Sequence, residues 1–238
     1  MRRFVSVLTL SAALSIPALA ESTFYGSQGD KAAQVDFAIS GSDLVVTLIN
    51  VADGDVLVPS DVLTAVFFSV DAAPLSLTRT SAVLANGSVV YYDPDGQPAG
   101  GVVGGEWAYR SGRSGAPNNL PYGISSTGLG LFGPGDRFPG GDLEPPASPD
   151  GLQYGLLSDG DDVNTGNGGV TGSGGLIKNA VTFTLSGLPV DFNLSSIDSV
   201  YFLYGTALDE GGFDGHKVPE PASALLVLSG LVLIGRRR

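Results

Sequence analysis

The sequence has no cysteine, a single histidine and few basic residues, and each shortage closes off a class of chemistry. Without cysteine there is no thiolate metal site, no cysteine nucleophile and no disulfide framework. The lone His216 stands two residues before the Val218-Pro219 step, in what reads as a linker. That is a poor place for a general base, so a Ser-His-Asp arrangement is not expected. Twelve Lys and Arg stand against 24 Asp and Glu in 238 residues, a net charge of −12. Five of the twelve (Arg2, Arg3, Arg236, Arg237 and Arg238) lie at the two ends; between Glu21 and Lys217 seven basic residues oppose 23 acidic ones, a net −16. A surface that negative repels phosphate backbones and anionic headgroups, so nucleic acid is not expected as a partner, while solubility and cations are favoured. Helical periodicity is also missing from the whole stretch between the two ends.

The ends have their own organisation. Residues 1–20 read MRRFVSVLTLSAALSIPALA: two arginines, an apolar run from Phe4 to Ile16, and a small-x-small ending at Ala18-Leu19-Ala20. These are the three parts of a secretory signal peptide, which predicts use of the secretory translocon and cleavage by signal peptidase between Ala20 and Glu21. At the other end, residues 218–238 present Pro219-Glu220-Pro221, an apolar stretch from Ala222 to Gly235, and Arg236, Arg237 and Arg238. Fourteen apolar residues make roughly 21 Å of helix, short for a hydrocarbon core of about 30 Å but long enough to halt there. The arginines would stay on the cytoplasmic side and stop translocation.

Pro-Glu-Pro, a short apolar helix and a basic tail in that order resemble the PEP-CTERM sorting signal of Gram-negative bacteria. The resemblance implies recognition by an exosortase, cleavage near the motif, and an inner-membrane intermediate that is passed on to the cell surface or the extracellular matrix. It also implies the company of exopolysaccharide and biofilm. An ordinary C-terminal anchor is the alternative. Within the body, Gly166-Asn167-Gly168-Gly169 leading into Leu176–Leu185, together with Val200–Glu210, resembles an exosortase-dependent surface protein family. Such a family is defined by its sorting and implies no activity.

The body, residues 21–217, reads as one all-β domain with period-two alternation. Val35, Phe37 and Ile39, then Leu44, Val46 and Leu48, form a hairpin turning at Ser42-Asp43. Val62–Val70 and Leu75–Leu84 form a second expected hairpin across Asp71–Pro74, since proline cannot continue a ladder. Ser88–Tyr92, Val181–Leu185 and Val200–Tyr204 are further strands. Together they predict a single antiparallel, jelly-roll-like β-sandwich. Gly 35 and Pro 15 are about one residue in five, against an ordinary ~12%. They concentrate in residues 93–151, where the alternation fails; the aromatic residues scattered there predict an ordered excursion packed on the sandwich.

Three candidate sites follow. Asp159, Asp161, Asp162 and Asn164 form the densest set of oxygen ligands and suit calcium, although their spacing is not that of an EF-hand. Aspartate and asparagine are also good turn residues, the plainer reading. Asp93 and Asp95 are a weaker set of the same kind. Trp107, Tyr109 and Tyr122 could stack on sugar rings, or equally anchor a loop or fill a core. A glycan hydrolase would need two carboxylates across a cleft, and 23 acidic residues nominate too many pairs to choose among. The sequence thus predicts a non-enzymatic surface protein, with a carbohydrate-binding module as the alternative and a secreted hydrolase third.

Overall fold

A computed structural model describes residues 21–219 apart from 72, 73, 94, 113 and 148. The expected signal peptide with Ala20, and Glu220, Pro221 and Arg236 to Arg238 of the expected sorting signal, lie outside the described residues. Among the described residues no helix is long and apolar enough to cross a membrane.

The body is all-β. Thirteen strands run in chain order as β1 (Glu21–Gln28), β2 (Lys31–Ser40), β3 (Asp43–Asn50), β4 (Leu63–Val70), β5 (Thr78–Leu84), β6 (Val89–Tyr91) and β7 (Ala108–Ser111). They continue as β8 (Tyr122–Ser125), β9 (Leu156–Leu157), β10 (Leu176–Lys178), β11 (Ala180–Ser186), β12 (Ile197–Tyr204) and β13 (Gly212–Lys217). Hydrogen bonds join them in the order β5-β11-β3-β2-β1-β13-β12-β4-β9-β10-β6, with β8 also on β4 and β7 on β8. Among the described residues only β9 and β10 pair in parallel.

The path folds over so that its two halves face each other. Phe37 on β2 and Phe68 on β4 belong to strands that are not neighbours, yet their rings meet edge to face at 5.2 Å. One core cluster takes inward residues from both halves, Val35, Phe37, Val46 and Phe183 from one and Val66, Phe68 and Phe202 from the other. The alternation of β3 explains its place: Leu44, Val46 and Leu48 point in, and Thr47 on the outer face meets Thr182 of β11 at 3.2 Å.

The first hairpin forms as expected, with β2 and β3 in register from Ser40↔Asp43 to Ala33↔Asn50. Its turn is Gly41-Ser42, one residue earlier than the sequence suggested. The second expected hairpin does not form. β4 lies between β12 and β8, while β5 pairs with β11 in the other half. The reason is two-sided burial. Every residue from Leu63 to Phe68 is buried. Val66 and Phe68 enter the main core, and Ala65 and Phe67 pack on the opposite side against Ala116, Leu120 and Leu131. A strand apolar on both faces belongs inside, whereas β5, with Thr78 and Thr80 exposed, suits an edge.

The described residues between 93 and 151 supply β7 and β8, which pair with each other and with β4 and so belong to the sheet. The Arg110 guanidinium on β7, 2.8 Å from the Asp136 carboxylate, ties that strand to the turn at Pro134–Asp136.

Both ends of the body leave at one pole. Lys217 lies opposite Phe24 across the β1–β13 ladder, and the Val218 amide donates to the Thr23 carbonyl at 2.8 Å. β1 then carries the chain roughly 23 Å, at about 3.3 Å per residue, to the opposite pole. There lie the β1–β2 turn, the end of β3 and the end of β12.

Truncating Phe37 to Ala should lower unfolding stability by about 3–5 kcal/mol. Truncating Leu57, half exposed, should change it by no more than about 0.5 kcal/mol. Urea unfolding followed by tryptophan fluorescence measures both.

Candidate functional site

The three aromatic residues considered for sugar stacking are not on the surface. Trp107 has no exposed area, its ring sits 5.0 Å from that of Phe183, and its indole N–H donates to the Tyr154 carbonyl at 3.1 Å. Tyr122 is buried and stacked on Phe68, and its hydroxyl accepts the Leu75 amide at 2.7 Å. Tyr109 is buried as well, and burial pushes its hydroxyl pKa well up. These residues anchor the excursion to the core, so the stacking platform is corrected to a packing role.

Glu106, which the sequence did not single out, is 2% exposed. Its carboxylate accepts the Leu143 and Glu144 amides at 2.6 and 3.2 Å, fastening the end of the excursion. Burial raises its pKa, opposed by those two amides. Close by, the Tyr154 hydroxyl donates to Asp93. Bound to backbone in this way, Glu106 is an anchor rather than an acid facing a substrate.

A concavity opens at the pole opposite the chain ends. A cleft of about 350 Å³ is lined there by Gln28, Lys31, Asp55, Asp61, Ser158 and Tyr204, among others. Four elements build it: the β1–β2 turn, the irregular segment between β3 and β4, the loop after β9 that bears Ser158, and the end of β12. The Lys31 ammonium lies 4.0 Å from Asp61 and 5.2 Å from the centre of the Tyr204 ring. Asp55 and Asp61 on its wall, with Asp30 at the turn, leave the cleft net negative around that one ammonium. A neutral, hydroxyl-bearing or cationic ligand fits this field better than an anion.

The expected calcium residues lie beside this cleft but are not gathered round one point. Asp162 accepts the Asn164 backbone amide at 3.0 Å and its side-chain amide at 2.9 Å, a local turn that uses both residues. The Asp159 amide bonds the Asn50 carbonyl, and its carboxyl group belongs to an exposed residue. Among the described residues no three His, Asp or Glu side chains converge as a metal site. The four-residue set is therefore corrected: Asp161 alone turns inward.

Its real neighbour is Asp55, about a hundred residues earlier in the chain. The Val56 amide donates to Asp161 Oδ1 at 3.0 Å, and the Asp162 amide donates to Asp55 Oδ1 at 3.0 Å. Burial first, and then the adjacent Asp55 carboxylate, raises the pKa of Asp161. Asp55 is lowered, chiefly by the Thr165 hydroxyl, which donates to its Oδ2 at 2.7 Å. The two segments share a tripeptide, Asp53-Gly54-Asp55 and Asp159-Gly160-Asp161, but a short repeat does not by itself say that its copies meet.

Because its folded pKa is raised, Glu106 binds its proton more tightly folded than unfolded. Its contribution to stability is greatest below the ordinary glutamate value of 4.5 and is lost as pH rises through the higher folded value. Glu106→Gln should keep the two amide bonds and flatten that loss, which urea midpoints measured from pH 4.5 upward would show. No protein-family model, curated protein or solved structure matches the chain.

Proposed function

We propose that this chain is an exported bacterial surface or extracellular-matrix protein. Residues 1–20 take it into the secretory pathway, and an exosortase processes it at Pro219-Glu220-Pro221. In this reading the body is a non-enzymatic, jelly-roll-like sandwich displayed or released with exopolysaccharide. The observation that carries the proposal is the arrangement of the chain ends. The two terminal segments join the body at neighbouring positions, with Val218 bonded to Thr23, so both could enter one membrane without distorting the fold.

The geometry also suits display. A body held at that pole turns its acidic cleft away from the bilayer, and its net charge of −16 repels anionic headgroups. Cutting beyond Pro219 leaves β13, and hence the ladder to β1, intact. A glycan-binding role is a second reading, now centred on the distal cleft rather than on Trp107. The amide of Gln28 and the carboxylates of Asp55 and Asp61 are the groups that would meet sugar hydroxyls.

Intact mass spectrometry of the protein from the native host, with and without its exosortase, tests the sorting. The expected wild-type mass begins at Glu21 and ends near Pro221, with or without an adduct, and the mutant keeps Arg238. A chain running to Arg238 in both strains would reduce the C-terminal segment to a plain anchor.

A further inference from the structure

The two Asp-Gly-Asp segments lie back to back at the distal pole. The Asp159 amide donates to the Asn50 carbonyl and the Gly160 amide to the Ala52 carbonyl, each at 3.1 Å. A Cβ on Gly160 would stand 2.0 Å from the Asp53 carbonyl oxygen, so glycine is required for this approach. The side chains then cross over: the last aspartate of each segment accepts the amide next to its counterpart, as described for Asp55 and Asp161. Two carboxylates are thereby held side by side.

Their second oxygens differ in one respect. Asp55 Oδ2 accepts the Thr165 hydroxyl, but Asp161 Oδ2 is buried and accepts no hydrogen bond from any described residue. Asp161 as a whole is only 6% exposed. An acceptor out of water, beside a like charge and without a donor, is unfavourable unless something positive completes it. The nearby ammonium of Lys178 donates to the Asp161 backbone carbonyl at 2.6 Å and makes no hydrogen bond to Oδ2. Tyr92 likewise gives its hydroxyl proton to the Val163 carbonyl. Asp53, Asp159 and Asp162, in the same two segments, add only negative charge.

We propose that Asp55 and Asp161 hold one divalent cation of the calcium kind between the two loops. Every donor available is a hard oxygen, and irregular glycine-containing loops give the adaptable geometry that calcium accepts and magnesium does not. Two carboxylates match the charge of the ion, and backbone carbonyls and water supply the other ligands. Because Gly54, Asp55 and Val56 form one wall of the cleft, the ion fixes that wall to the loop bearing Ser158.

The test uses purified protein stripped with chelator and titrated with calcium chloride, followed by calorimetry and thermal unfolding. One calcium per chain is expected, with a dissociation constant of the order of 10⁻⁴ to 10⁻³ M and a rise in Tm. Asp161→Asn should weaken binding about tenfold or more. It should still fold, because its amide can keep the Val56 contact and donate to Asp55, and it should lose the calcium-dependent rise. Asp198→Asn, on the exposed face of β12, should keep it. Three results overturn the proposal: no heat and no shift at millimolar calcium, an undiminished shift in Asp161→Asn, or a stripped parent that gains stability on acidification and ignores calcium. The last would mean that the two carboxylates share a proton instead.

Discussion

The position of β13 is the constraint on which the rest depends. This six-residue strand pairs with β1 on one side and β12 on the other, and so joins the half of the path that begins at β5 to the half that ends at β6. Its fit requires close backbone approach: a Cβ on Gly26 of β1 would stand 2.6 Å from the Asp214 carbonyl oxygen. With β13 in place the two halves can face each other, Phe37 meets Phe68, and the hydrophobic burial that drives folding becomes available. The same strand brings the end of the body back to its beginning. The fold and the proposed mode of tethering therefore have one cause.

The second organising feature is the use made of the glycine- and proline-rich excursion. It would be costly as free chain, yet it carries several of the largest core side chains. Trp107, Tyr122 and Phe138 enter the main cluster, and Leu120 and Leu131 cover the far side of β4. The scarce positive charges serve it too, as in the Arg110–Asp136 pair. Polar anchors such as Glu106 hold its backbone where regular ladder bonds are missing. At the distal pole, by contrast, Asp30, Asp55 and Asp61 line an open cleft.

Much of this was legible in the sequence. The positions of β2 to β6, β11 and β12 were, because side chains on a half-buried strand alternate and the record of alternation is local; β1, β7 to β10 and β13 were not. The all-β class and the strongly acidic body were legible too. Partner choice was not. The run Val62–Val70 looked like half of a hairpin with Leu75–Leu84, but its continuous apolar character came from burial on both faces, a condition set by residues 116, 120, 131 and 203. Trp107 and Tyr122 looked available because their neighbours are glycine and proline; whether an aromatic ring in such a loop faces water depends on where the loop lands.

The aspartates show the same division most simply. Local composition determined that residues 159–164 would be an acidic turn, and Asp162 and Asn164 do form one within three residues of each other. That Asp161 should turn inward and meet Asp55 was decided by tertiary structure alone, because the two belong to loops following different strands and are joined by amides of opposite segments. Composition, charge and periodicity are properties of neighbouring residues, so the sequence by itself determined them. Which carboxylates share a space, which rings are buried and where the two chain ends emerge depend on contacts between distant residues, and only the tertiary structure decided those.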